Sequence, residues 1–330
     1  MRQKQSFIFL ILLFTIIGIQ AQDHKIMVHD PVAIEAGGKY YIFNTGHGIA
    51  CWSSNDMKNW KHLPPVFENL PEWAKQAVPK FDGNIWAPDI SYHNNKYYLY
   101  YSISSFGSNR SCIGVATNVT LNHENPDFKW IDHGPVIESV PGRDNWNAID
   151  PNLIFDKQND PWLVFGSFWG GLKIVRLNSD LISIADAPQE WYTVAARERD
   201  FTLHDRQAGN GAIEAPFIFR KGDYYYLFVS FDLCCRGSNS TYNVRVGRSK
   251  AAIGPYVDRE GVFLETGGGT LVVKGDDNYY GIGHNSVYTF DGQDYMFSHA
   301  YLKKERGRPG LVIHKVTWDE DGWPVVTELK

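Results

Sequence analysis

A short segment recurs five times along this chain, and no other feature restricts its fold as much. GGKYYIFNT ends at Thr45, NNKYYLYYS at Ser102, QNDPWLVFGS at Ser167, KGDYYYLFVS at Ser230 and DGQDYMFSHA at Ala300. Each opens on a turn of Gly, Asn or Asp and runs into aromatic and aliphatic residues, the pattern of a tight turn feeding a β-strand. The ends lie 57, 65, 63 and 70 residues apart, room for one supersecondary unit per repeat. A further strand follows each (IACWSSND, SCIGVATN, GLKIVRLN, YNVRVGRS, LVIHKVTW). Then comes a segment marked by Trp or Pro: Trp60-Lys61-His62-Leu63, Trp130-Ile131-Asp132, Trp191-Tyr192, Pro255-Tyr256-Val257 and Trp323-Pro324-Val325. With the strand before each turn, every unit has four strands. No helix-length stretch after residue 21 carries a 3.6-residue apolar period. Five such units arranged radially make an all-β, five-bladed β-propeller around a central channel, with short, protected edges. A β-sandwich also has many short strands, but does not account for five similar units.

The first 21 residues stand apart. Arg2 and Lys4 precede an apolar run from Phe7 to Ile19, which ends in Gln20-Ala21. This is the build of a cleaved secretory signal peptide, and the run is shorter than the roughly 20 residues that span a bilayer. The expected organisation is a signal peptide over 1–21 and a single propeller domain over 22–330, secreted or periplasmic, with no membrane partner after cleavage. Taking Arg2 and Lys4 from the 32 Lys+Arg leaves 30 against 37 Asp+Glu, a net of −7. A chain with that balance and no basic patch has nothing to track phosphates, which excludes nucleic acid as a partner. Aromatic residues make up 15 % of the chain; they suit β-structure and also stack on the C–H faces of sugars. Cys51, Cys112, Cys234 and Cys235 are too few for a disulfide scaffold and fit no zinc spacing. Cys234-Cys235 is read either as an adjacent-residue disulfide or as two thiols.

In a propeller the innermost strands line the channel, so equivalent positions of all blades converge on one mouth. Counting back from the ends of the repeated segments, Asp30 lies 15 before Thr45, Trp86 16 before Ser102 and Asp150 17 before Ser167. Glu214 lies 16 before Ser230, and His284 16 before Ala300. Three carboxylates, an aromatic ring and a histidine thus share one phase. One acid beside a proline is an ordinary turn residue. Three crowded at one mouth repel each other, and a fold keeps them together where chemistry or a cation needs them. Asp89, 13 before Ser102 and on the opposite strand parity, is structural by the same count. Glycosidic hydrolysis needs one ionised and one protonated carboxyl on opposite sides of the sugar, and a third carboxylate beside the acid helps it keep its proton. The pattern alone does not say which carboxylate takes which role.

The strings His29-Asp30-Pro31, Trp86-Ala87-Pro88-Asp89, Asn147-Ala148-Ile149-Asp150-Pro151-Asn152, Ser167-Phe168-Trp169-Gly170-Gly171, Ile213-Glu214-Ala215-Pro216 and Gly283-His284-Asn285-Ser286 resemble those of the glycoside hydrolase family 43 arabinanases, over residues 24–326. The resemblance implies a five-bladed propeller that cleaves α-1,5-linked L-arabinan with inversion, with Asp30 as general base, Glu214 as general acid and Asp150 tuning the acid. It implies a largely water-coordinated calcium ion with His284 as protein ligand, although calcium prefers oxygen; the alternative is that His284 hydrogen-bonds the ring carboxylates. Trp86 and Phe106 match sugar-stacking positions, and Asn147, Ser167, Phe168 and Trp169 match substrate-contacting loops. Arg306 and Arg308, in KKERGRPG, are left outside the site. The fifth unit runs to the end of the given sequence, so the C-terminal sandwich of the family's β-xylosidases is expected to be absent, which favours an open groove and the arabinanase branch; endo action on polysaccharide, by a monomer, is the expected mode. Loops 69–84 and 197–210 could close one end and make the enzyme exo-acting. A non-catalytic sugar-binding propeller, the reading from another class, would have lost a ring carboxylate; all three are present.

Overall fold

Each repeated turn joins the two inner strands of an antiparallel blade, and the residues after it alternate across the pleat so that each face meets a neighbouring blade. A computed structural model describes residues 25–187, 189–200, 202–203 and 208–329; the expected signal peptide, 1–21, lies outside them. Blade one consists of Val32–Ala36, Lys39–Asn44, Ala50–Ser54 and Lys61–Leu63. Blade two is Asn84–His93, Lys96–Ile103, Ser111–Asn118 and Ile131–Ser139, with Gly46–His47 added beside its first strand. Blade three is Asn152–Phe155, Pro161–Phe165, Leu172–Arg176 and Trp191–Ala195. Ile213–Lys221, Tyr224–Phe231, Asn243–Ser249 and Thr270–Lys274 form blade four. Tyr279–Phe290, Gln293–Leu302, Arg308–Trp318 and Pro324–Glu328 form blade five. The molecule is a five-bladed β-propeller with four strands per blade, as the repeat requires.

One strand differs from its expected place. Pro255-Tyr256-Val257 is not the outer strand of blade four; Thr270–Lys274 is, pairing Val246↔Thr270 through Asn243↔Lys274. Pro255 has no N–H to give a ladder, Tyr256 is fully buried with its hydroxyl on Ala252 O, and Val257 makes only isolated bridges to Arg248 and Phe263. The run Thr270-Leu271-Val272-Val273, β-branched at three of its four positions, takes the edge instead.

The core lies between the blades. Among the described residues, buried apolar clusters fill the seams, for example Phe43, Leu99 and Tyr101 between blades one and two, and Phe228, Val246 and Met296 between four and five. Ring closure uses the segment ahead of the first strand. Leu311 N–H donates to Ile26 O at 3.0 Å, and Lys25 pairs with Glu328 at 2.8 Å. Arg308 Nη2 donates to Lys25 O at 2.9 Å, a structural use consistent with leaving that residue outside the site. Asp89 is likewise structural. It is 2 % exposed and accepts from Asn152 Nδ2 and Leu153 N–H across the next seam.

Candidate active site

At one mouth of the channel, the first strand of every blade is interrupted by, or preceded by, a residue in the left-handed region. These are Asp30 (φ 54°), Ala87 (φ 41°), Asp150 (φ 58°), Ala215 (φ 56°) and His284 (φ 47°), an unfavourable conformation for non-glycine residues that persists where the surroundings enforce it. The enforcement is a circle of hydrogen bonds. Ala87 N–H donates to Thr45 Oγ1 at 2.8 Å, Asp150 N–H to Ser102 Oγ at 3.1 Å and His284 N–H to Ser230 Oγ at 2.8 Å. Asp30 N–H closes the circle on His299 Nδ1 at 3.1 Å. The polar residue ending each repeated strand thus holds the next blade. Only between blades three and four does the scheme change. Ala215 N–H donates to Asp150 Oδ2 at 3.1 Å, and the Ser167 hydroxyl donates to Glu214 Oε2 at 2.8 Å.

The shared phase expected of Asp30, Trp86, Asp150, Glu214 and His284 needs correction. Trp86 pairs with Ser102 and Glu214 with Ser230, so their counterparts are His29, whose carbonyl takes Thr45 N–H, and Ile149, whose carbonyl takes Gly166 N–H; in blade five the counterpart is Gly283, paired with His299. Asp30, Asp150 and His284 sit one residue further on. In a regular strand that slip would send their side chains to the opposite face; the left-handed residue turns the chain so that both positions reach the mouth, as bulges commonly do. All five residues therefore still line one cavity of about 510 Å³.

The carboxylates differ in environment. Asp30 accepts from the Thr45 hydroxyl at 2.5 Å and faces His284 Nδ1 at 2.9 Å. Burial would raise its pKa, but His284, by charge and hydrogen bond, with His299 and His29 behind it, holds the carboxyl below the usual carboxylate range. His284 responds in the opposite sense. Burial lowers it, yet Asp30, Asp150 and Glu214 push it up to about 9. Asp150 is buried, and desolvation, with Glu214 and Asp30 adding to it against His284, pushes its carboxyl up to about 8. Glu214 is held on its second oxygen by Tyr242, whose hydroxyl donates to Oε1 at 2.7 Å. Gly283 makes that contact possible, since a Cβ there would lie 2.3 Å from the Tyr242 ring.

A second cavity of about 470 Å³ adjoins the first, and the two share Trp86, Phe106, Ile149, Glu214, Cys234 and Cys235. Asn147, Ser167, Phe168 and Trp169 line the second. Every residue expected at the site therefore borders one groove centred on Glu214. Loop 69–84 contributes Asp82 and Asn84 to the first lobe, and loop 197–210 contributes Ala208 and Gly209 to the second. Phe106 is 80 % exposed and packs on Trp86 with ring centroids 5.0 Å apart. Phe168 and Trp169 are consecutive left-handed residues (φ 52° and 41°), over Gly170, where a Cβ would meet Asn145 O at 2.5 Å.

Sequence reasoning missed Thr45, Tyr242, His299 and Tyr301. Thr45 was visible only as the end of a repeat, and His299 stands in blade five where blades one, two and four have Thr45, Ser102 and Ser230. The cysteines are all free thiols, Cys51 and Cys112 buried within the blades. For a metal, the ligand atoms of His29, Asp30 and His299 lie within 4.8 Å of one another. Part of that donor set is already engaged, since His299 Nδ1 takes Asp30 N–H and the Asp30 oxygens face Thr45 and His284.

The sequence pattern of the family described as "Glycosyl hydrolases family 43" matches residues 25–324. Over 304 residues the chain is 52 % identical to the extracellular exo-α-(1→5)-L-arabinofuranosidase of Cellvibrio japonicus, covering 92 % of this chain and 87 % of that one. It is 40 % identical over 302 residues to the extracellular endo-α-(1→5)-L-arabinanase 1 of Bacillus subtilis, covering 90 % and 87 %. The fold matches the α-L-arabinanase of Cellvibrio cellulosa in complex with arabinohexaose at a TM-score of 0.90 and 51 % identity, over 92 % of this chain and 96 % of that one.

Proposed function

This chain belongs to glycosyl hydrolases family 43, and from that membership we propose that it hydrolyses α-1,5-L-arabinofuranosidic bonds of arabinan with inversion, Asp30 acting as base and Glu214 as acid. The observation that carries the proposal is the meeting of Asp30, Asp150 and Glu214 in one cavity with aromatic walls. Asp30, kept ionised by its imidazole neighbours, takes the proton of a water as that water attacks the anomeric carbon. As the C–O bond breaks, Glu214 gives its proton to the departing oxygen. Asp150 is the tuning residue: burial, with Glu214 and Asp30 adding to it, pushes its carboxyl up to about 8, so it holds a proton in the cavity at neutral pH. Trp86 and Phe106 stack on sugar rings, a role consistent with an exposed Phe106. Asn147, Ser167, Phe168 and Trp169 hold the chain in the second lobe.

Groove space on both sides of Glu214 favours internal cleavage. A second reading, cleavage from chain ends, is favoured by the 52 % identity to an exo-acting relative. Digesting linear arabinan and resolving the products by size decides between them. A spread of sizes in the first minutes is the expected result, and a single small product accumulating from the start would assign the exo mode.

A calcium ion at the ring is part of the same proposal. The donor set allows it in one way. The oxygens of Asp30 and Glu214 already carry hydrogen bonds or an imidazole contact, so a hard cation would take its oxygens from water and use His284 as its protein ligand, the imidazole giving up its second proton to bind. When bound, it would supply positive charge that keeps Asp30 ionised. Chelation is expected to lower both activity and melting temperature, with calcium restoring them and His284→Ala losing the response; an unchanged protein after chelation would remove calcium from the account. Export fits the extracellular relatives and the leader read in residues 1–21, and the chain is taken to act as a monomer.

A further inference from the structure

Behind the base lies a chain of hydrogen bonds with one place left unfilled. Asp30 N–H donates to His299 Nδ1 at 3.1 Å, so that nitrogen carries no hydrogen. His299 is fully buried, and its single proton therefore sits on Nε2, 3.2 Å from the Tyr301 hydroxyl; the imidazole is the donor and the phenol oxygen the acceptor. The same oxygen accepts a second hydrogen bond, from Cys235 N–H at 2.6 Å. A phenol oxygen accepts two hydrogen bonds and donates one. Both acceptor positions of Tyr301 are filled from the protein, and its own hydrogen has no acceptor among the described residues. Tyr301 is 1 % exposed, yet it borders the cavity that holds Asp30, beside Cys234, Gly237, Gly307 and Pro309. A buried donor without a partner is costly, so the acceptor must come from the cavity.

We propose that Tyr301 donates this hydrogen bond to an oxygen of the arabinosyl unit bound beside Asp30, and so is a specificity-determining residue of the groove. The proposal rests on the arabinan reading and deepens it. The contact is oriented from both sides. The Cys235 backbone, itself left-handed at φ 62°, and His299, packed between His29 at 4.3 Å and Tyr301 at 5.3 Å between centroids, fix the oxygen, leaving the hydrogen one free direction. The same bonds tie the contact to Asp30 through its backbone, so a sugar oxygen seated on Tyr301 lies in fixed register with the base.

The test is a set of monodeoxy arabinotrioses, each lacking one hydroxyl, assayed with the wild-type chain and with Tyr301→Phe. One member should lose roughly 10- to 100-fold in kcat/KM with the wild type, the effect of leaving a buried donor unpaired. Tyr301→Phe should lose a comparable factor on intact arabinotriose and nothing further on that member. If Tyr301→Phe lowers every substrate by one common factor, the phenol is structural and its hydrogen goes to water. Phe leaves Cys235 N–H and His299 Nε2–H unpaired, so the variant could fail to fold; in that event a wild-type series without any such loss still overturns the proposal. A wild-type chain inactive on linear arabinan itself would instead overturn the arabinan reading.

Discussion

Asp30→Asn is expected to lose about 10³- to 10⁴-fold in kcat, on arabinan and on an aryl arabino-oligoside with a dinitrophenolate leaving group alike. Both substrates need a water stripped of its proton, whatever leaves from the other side. The substitution should spare the fold. Asn tolerates the left-handed backbone that Asp30 adopts (φ 54°) better than most residues, its N–H still reaches His299 Nδ1, and its amide oxygen can still accept from Thr45. What changes is charge, since His284 loses the carboxylate 2.9 Å away. Melting temperature should therefore move by only a few degrees, while turnover collapses. A variant that keeps more than about a tenth of its turnover would move the base elsewhere, with Asp82 on the wall of the same cavity the next carboxylate to test.

The sequence made the blades legible because a propeller repeats its local chemistry. Turn residues before Tyr40, Tyr97, Trp162, Tyr224 and Tyr295 recur at a spacing that only stacked units explain. It also brought Asp30, Asp150, Glu214, His284 and the aromatic positions to one groove. The exact phase was not legible, because period-2 counting assumes an unbroken strand, and the left-handed residues Asp30, Ala87, Asp150, Ala215 and His284 break it. The trace they leave is the proline that follows four of them, Pro31, Pro88, Pro151 and Pro216. The outer strand of blade four was misplaced for a related reason. Pro255-Tyr256-Val257 has the look of the other outer segments, but a 12-residue excursion, 258–269, precedes the true edge at Thr270. Tyr242 and Tyr301 could not have been found at all. Nothing local marks Tyr242, which reaches Glu214 because the third strand of blade four approaches Gly283; Tyr301 stands two residues from His299 on one strand, but its place at the site comes from Cys235, whose N–H reaches its hydroxyl.

Glu214→Gln should separate the acid from the base. On arabinan the loss is expected to be about 10²- to 10⁴-fold, the contribution of a positioned general acid; on the dinitrophenyl arabino-oligoside, whose leaving group needs no proton, it should be less than about tenfold. The amide fits the same place. Ser167 and Tyr242 now donate to Oε2 and Oε1 at 2.8 and 2.7 Å, and either hydroxyl can turn to accept from the amide nitrogen. The pH dependence carries the same distinction. Burial, with Glu214 and Asp30 nearby, pushes Asp150 up to about 8, so the site holds a proton on Asp150 below that pH and loses it above. Wild-type kcat/KM on arabinan should accordingly fall as pH rises through about 8, whereas the dinitrophenyl substrate, which takes no proton from Glu214, should show no such fall. Equal losses on the two substrates in Glu214→Gln, or one common alkaline limb in the wild type, would show that Glu214 serves the fold of the groove and that another group protonates the leaving oxygen.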